Sequence, residues 1–173
     1  MNKKQTCAAA LTFGALALSM NAGAVDSMSV EAGGGNGVDI ARVGLQWKWQ
    51  KKWLESGDWH LGGYWDAQIG HWHGASGITD LGFTPTFRFQ QNSGRGLYGE
   101  AAVGLHYLSS RNITTTKQPG SNLTFGDHVG VGYRFGERGQ YDLSLRLQHH
   151  SNAGIKSPNP AINVSLLRFQ YWF

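Results

Sequence analysis

The sequence predicts an all-β fold, an eight-stranded antiparallel transmembrane β-barrel with an apolar exterior and a polar interior. Three observations predict it. After an N-terminal apolar segment, apolar and polar residues alternate with a period of two in one segment after another, and no helical period appears. The composition suits strands and tight turns, with 7 Trp, 6 Tyr, 8 Phe and 25 Gly in 173 residues. The chain also ends on an alternating apolar run closed by Phe173. With 12% aromatic and only 15% charged residues, a disordered chain is excluded. No stretch of about 18–20 uncharged apolar residues follows the N-terminal segment, which excludes a helical membrane protein. The length fits one domain.

Residues 1–24 read as a secretory signal. Lys3 and Lys4 form its basic start, an apolar stretch runs from Ala8 to Met20, and Ala22-Gly23-Ala24 supplies small residues for cleavage. The barrel domain is then 25–173. The only cysteine, Cys7, falls inside the signal, so the mature chain has no thiol for catalysis or zinc binding. Losing Lys3 and Lys4 leaves 13 basic and 11 acidic residues, with no basic block to suggest nucleic acid.

The strands follow in order. A weaker first one spans about 27–34. In 39–49, Val43, Leu45, Trp47 and Trp49 alternate with Arg42, Gly44, Gln46 and Lys48. In 59–72, Trp59, Leu61, Trp65, Ala67 and Ile69 alternate with His60, Tyr64, Asp66 and Gln68. Leu81, Phe83, Phe87 and Phe89 set one face of 79–89, and Leu97, Ala101, Val103, Leu105 and Tyr107 one face of 97–107. The same pattern marks 123–135 through Phe125, Val129, Val131, Tyr133 and Phe135. It marks 141–151 through Leu143, Leu145 and Leu147, and 163–173 through Leu167, Phe169 and Tyr171.

Two barrels suit eight such strands. A soluble barrel of the lipocalin kind faces its apolar residues inward, and an outer-membrane barrel faces them outward around a polar lumen. The second face here carries Arg42, Lys48, Asp66, Asp80, Arg88, Glu100, Arg134, Arg146 and Arg168, charges of both signs. The first face would crowd Trp and Phe into a narrow lumen, whereas aromatics at strand ends suit an interfacial girdle. The outer-membrane barrel is the better fit, with Phe173 as the terminal signal for the assembly machinery. Both termini and the turns at 50–58, 90–96 and 136–140 are then periplasmic. Segments 109–122 and 152–162 become extracellular loops.

Strand parity singles out a polar pair on the lipid side. His149 and Ser151 share the face of Leu143, Leu145 and Leu147, near the outer leaflet. Side chains at i and i+2 of a strand are about 7 Å apart, and a serine beside an imidazole is the usual apparatus of acyl transfer. Asn152 and Gly154 follow with an amide and a flexible N–H suited to an oxyanion hole. A polar rim where the strand leaves the bilayer is the alternative reading of the pair.

The stretch His149-His150-Ser151-Asn152-Ala153-Gly154-Ile155-Lys156 with Pro158-Asn159, the Gly-Tyr-Trp-Asp-Ala segment at 63–67, the length and the strand layout resemble the PagL family of outer-membrane lipid A 3-O-deacylases. The resemblance implies that His149 is the general base and Ser151 the nucleophile. It implies Asn152 in the oxyanion hole with the Gly154 N–H as a second donor, and an ester of lipid A as substrate with no cofactor. At the third triad position, twelve residues after the serine, the family usually has Glu and this chain has Asn163. An Asn accepts a bond from the ring but cannot stabilise an imidazolium by charge, and Asp→Asn at that position of a serine protease costs about 10⁴ in rate.

If Phe135 opposes Tyr141 across the short turn, Asp127 falls opposite His149. A carboxylate on a lipid-facing surface is costly, and Asp127 is read as a supporting acid, with a hydrated interfacial Asp as the alternative. Pairing Ser151 with Asn163 across the last loop puts Asn163 on the same outer face.

Weaker features remain. His71 and His73 share a face but lack a third metal ligand, so no metal site is assigned. Arg111, Lys117 and Lys156 on outer loops suit lipid A phosphates no better than any exposed cation does. The Gly-rich 33–37 is a turn, with no helix after it to cradle a phosphate. Lipopolysaccharide in the outer membrane is thus the expected partner, and a homodimer stays open. A non-enzymatic barrel and an outer-membrane phospholipase or acyltransferase are the competing functions.

Overall fold

A computed structural model describes residues 24–173; the signal segment, but for Ala24, lies outside the described residues. Among the described residues nine strands form: β1 Ser27–Gly35, β2 Val38–Lys48, β3 Trp53–Ser56, β4 Trp59–His73, β5 Gly77–Gln91, β6 Gly96–Leu108, β7 Leu123–Phe135, β8 Tyr141–Ser151 and β9 Ile162–Trp172. They are antiparallel in the order β2-β1-β9-β8-β7-β6-β5-β4-β3, and a further β2–β4 pairing closes the barrel.

The ninth strand corrects the expected turn at 50–58. β2 pairs with β4 from Asp39↔His73 to Lys48↔Tyr64, and β3 then pairs with the same neighbour at Trp53↔Leu61 and Ser56↔Trp59. β3 therefore prolongs β2 past a bulge at 49–52, and the barrel still has eight walls. At the start of the bulge Trp49 still donates its N–H to Gly63 O at 2.9 Å, and its ring lies over Gly63, where a Cβ would come within 2.3 Å of it. It meets Trp53, Trp65 and Phe87 edge-on, with centroids 5.9, 5.7 and 4.9 Å away.

The two faces of each strand separate as the alternation requires. Val43, Leu45, Ile69, Leu81, Val103, Val131, Leu145 and Leu167 point outward and are exposed. Inward, four arginines (Arg42, Arg88, Arg146, Arg168) are buried with five carboxylates (Glu31, Asp66, Asp80, Glu100, Asp142). Arg88 lies 2.8 Å from Glu100 and 2.6 Å from Asp142, Arg146 2.7 Å from Glu100, and Arg42 2.9 Å from both Glu31 and Asp80. Arg146 and Arg168 both donate to the Tyr64 hydroxyl, at 2.9 and 3.0 Å. Such a network holds charge out of water only because nearly every member has a partner. Of the charges expected inside, Lys48 sits exposed at the strand end, and Arg134 is half-buried with its guanidinium 4.3 Å over the Trp172 ring.

The interior is not polar throughout. Val38, Ile40, Trp72, Ile78, Leu108, Ile162, Val164 and Leu166 form a buried apolar layer, completed by Ile113 from the 109–122 loop. These residues lie at strand ends beside the Asn36-Gly37 turn and the two long loops. The layer seals that mouth of the lumen against water. Residues 24–26, Phe173 and the turns at 90–96 and 136–140 lie at the other mouth, the arrangement expected from the sequence.

Candidate active site

β8 carries Leu143, Leu145 and Leu147 exposed on its outer face, and His149 and Ser151 half-buried above them. Its neighbours fix what meets His149. On one side the β7–β8 turn sets Phe135↔Tyr141, and the register runs on to Asp127↔His149, as the turn length predicts. On the other side the expectation needs correction. Asn163 pairs with His149 and not with Ser151. The ten residues between β8 and β9 fix no register by themselves, and an offset of two keeps the same face.

That offset improves the chemistry. His149 Nδ1 lies 2.7 Å from Asn163 Oδ1. An amide oxygen only accepts, so Nδ1 carries the proton and Nε2 is left with a lone pair. Asn163 thus selects the ring tautomer a general base needs.

Among the described residues, Ser151 Oγ has one hydrogen-bond partner, the Ala153 N–H at 3.4 Å. Contacts of this kind in unliganded sites tighten when substrate arrives. Ala153 and Gly154 have φ of 52° and 74°, and Ile155 N–H donates to Asn152 O at 3.0 Å. This is a turn of type I′ built directly after the serine. Ala153 holds its left-handed backbone without being glycine, a strain of the kind found at functional sites.

Asn152 has alternated inward and is buried. Its Nδ2 donates to Lys156 O at 2.6 Å, its Oδ1 accepts the Gly154 N–H at 3.0 Å, and its own N–H donates to Asn159 Oδ1 at 2.8 Å. In this structure the two groups expected to face an oxyanion are therefore bonded to each other and to the loop. The donor beside Ser151 Oγ is the Ala153 N–H, which the sequence reading passed over. Its only signal was its place in Asn-Ala-Gly, a left-handed turn sequence.

Asp127 is half-buried opposite His149, and its Oδ1 is buried without a hydrogen-bond partner among the described residues. Asp127 and His149 stand in one open groove of about 680 Å³ on the outer wall, whose apolar lining includes Phe87, Ala101, Val103, Val129 and Leu147. A second groove of about 540 Å³, near Val30, Val43, Leu143 and Phe169, lies on a different part of the wall and includes neither His149 nor Ser151.

The weaker candidates stand apart from this site. His71 and His73 are exposed on β4 opposite Ala41 and Asp39, and no cluster of three metal-ligating side chains occurs among the described residues. Lys156 is exposed. Arg111 donates to Gly120 O at 3.3 Å, and Lys117 donates to Ala161 O.

The chain is also similar to known proteins. Residues 39–172 match the family described as Lipid A 3-O-deacylase (PagL). The chain is 36% identical over 141 residues to the lipid A deacylase PagL of Pseudomonas aeruginosa, covering 79% of each chain. It is 38% identical over 89 residues to the lipid A deacylase PagL of Bordetella bronchiseptica, covering 51% of this chain and 47% of that one. Its fold resembles the crystal structure of the outer membrane enzyme PagL with a TM-score of 0.76, at 31% identity over 85% of this chain and 99% of the other.

Proposed function

Because the chain belongs to the PagL family of lipid A 3-O-deacylases, and is an outer-membrane enzyme of that family, we propose that it removes the 3-hydroxyacyl chain at position 3 of lipid A by serine-esterase chemistry. The observation that carries the proposal is the His149–Asn163 bond on the lipid-facing wall, two residues from Ser151. It prepares a base on the one surface where a membrane lipid can reach it.

His149 Nε2 takes the Ser151 hydroxyl proton as Oγ attacks the ester carbonyl carbon. The carbonyl oxygen becomes an oxyanion, and the Ala153 N–H beside Oγ is the donor placed nearest to it. His149 then passes the proton to the departing sugar oxygen, leaving an acyl-serine. Water attacks that ester with His149 again as base, His149 returns the proton to the departing Ser151 Oγ, and free 3-hydroxy fatty acid leaves. Asn152 keeps the turn in shape from below, through its bonds to Lys156 and Gly154. Asp127 adds negative charge beside the imidazolium that forms in each step. The groove at His149 suits the acyl chain, since its lining is apolar and one end meets the base. Phe173, exposed at the end of the chain, is the residue the assembly machinery would read.

The test is mass spectrometry of lipid A from cells expressing the wild type or Ser151→Ala. The expected result is loss of one hydroxyacyl chain with the wild type alone. Lysophospholipid in place of free hydroxy fatty acid would identify a phospholipase, and unchanged lipid A in both strains would count against the esterase.

A further inference from the structure

The residue that holds His149 is itself held from two other loops. β9 lies between β8 and β1, and its ladder with β1 ends at Gly34↔Ser165, short of Asn163. The Asn163 N–H is nevertheless bonded. It donates to Asn36 Oδ1, 2.8 Å away, from the tip of the β1–β2 turn. The Lys117 ammonium reaches the same Asn36 oxygen at 3.5 Å and donates to Ala161 O, joining the 109–122 loop to the start of β9. The turn fits closely against β9, since a Cβ at Gly35 would stand 2.4 Å from Asn163 O. Asn36 adopts φ of 51° in this turn, a conformation Asn tolerates better than most residues.

We propose that Asn36, braced by Lys117, is a positioning residue that sets the height of Asn163 and through it the orientation of His149. The proposal rests on the reading of His149 and Ser151 as the catalytic pair. Its physical basis is the neutral third residue. A carboxylate draws an imidazole ring by charge over several ångströms, whereas an amide acts only at hydrogen-bond range and in one geometry. The work a charge would do therefore falls on whatever fixes the backbone of Asn163.

The experiment uses the purified full-length enzyme in detergent micelles with lipopolysaccharide, reading released 3-hydroxy fatty acid. Asn36→Gly keeps the left-handed turn and removes only the acceptor, while Asn36→Asp keeps an acceptor for the Asn163 N–H. Asn36→Gly should lower kcat about tenfold, with KM unchanged, because the ring and not the substrate is misplaced. Asn36→Asp should recover kcat to within about twofold of wild type. In an Asn163→Glu background, where charge holds the ring, Asn36→Gly should cost no more than about twofold. The positioning role is overturned by wild-type kcat in Asn36→Gly, by failure of Asn36→Asp to restore it, or by the same loss in both backgrounds. If Ser151→Ala releases as much hydroxy fatty acid as wild type, the catalytic reading itself falls and the positioning role with it.

Discussion

His149 and Asn163 face each other across β8 and β9, with Nδ1 of the one 2.7 Å from Oδ1 of the other. The pair sits on the outside of a barrel whose inside buries nine charged side chains. Geometry that a carboxylate would normally supply is met here by an amide in the right orientation. An amide offers the ring an acceptor without a charge, at hydrogen-bond range only.

Asn163→Glu should raise kcat by about tenfold or more, because it restores that charge without changing the tautomer. Asn163→Leu should reduce kcat to the low residual rate of a base with no partner. Turnover of purified variants on lipopolysaccharide measures both. An Asn163→Glu enzyme no faster than wild type would mean that the ring needs only a neutral acceptor.

Asp127→Asn keeps the shape of the side chain and removes its charge. With Asp127 paired opposite His149, kcat should fall by roughly 3- to 10-fold. An unchanged kcat would remove Asp127 from the proton-transfer steps.

Ala153 tests the turn. Its φ of 52° suits glycine, so Ala153→Gly should keep at least about half of the activity and the same melting temperature. Ala153→Val puts a β-branched side chain into the left-handed region, where the turn must reshape and carry the N–H away from Ser151. Activity should fall at least about tenfold, with the barrel still folded by gel mobility.

Ala101 lies in the groove that begins at His149. Ala101→Phe narrows it with Ser151 untouched. The variant should lose activity on long-chain lipid A while retaining it on a short-chain ester, measured as kcat/KM for the two substrates. An equal loss on both would place the acyl chain elsewhere.

The lumen network gives a prediction about stability alone. Glu100 meets Arg88 and Arg146 at 2.8 and 2.7 Å, fully buried. Glu100→Ala leaves two guanidinium groups short of a partner and should cost about 3–5 kcal/mol, read from denaturant unfolding in micelles.

Much of the fold was legible because a strand has a side-chain period of two. That period alone placed Leu143 through Ser151 on one face and the arginines on the other. The Asp127–His149 pairing was legible too, because a five-residue turn at 136–140 leaves little freedom in register. Where a longer segment intervenes, legibility ended. The loop after Ser151 absorbs its residues in an Asn152-centred turn, so Asn163 meets His149 and not the serine. The bulge at 49–52 hid β3, because the extra residues between Lys48 and Trp53 break the alternation there.

By itself the sequence determined that this chain is an outward-apolar barrel with a serine and a histidine on its lipid face. Alternation and composition are local properties, and each strand declares them alone. Tertiary structure decided which neighbour each of those residues meets. It put Asn163 against the imidazole, Asn36 against Asn163, the Ala153 N–H beside Ser151, and Asn152 beneath the loop. Those contacts depend on strand register and loop closure, which are set by packing between segments far apart in the chain.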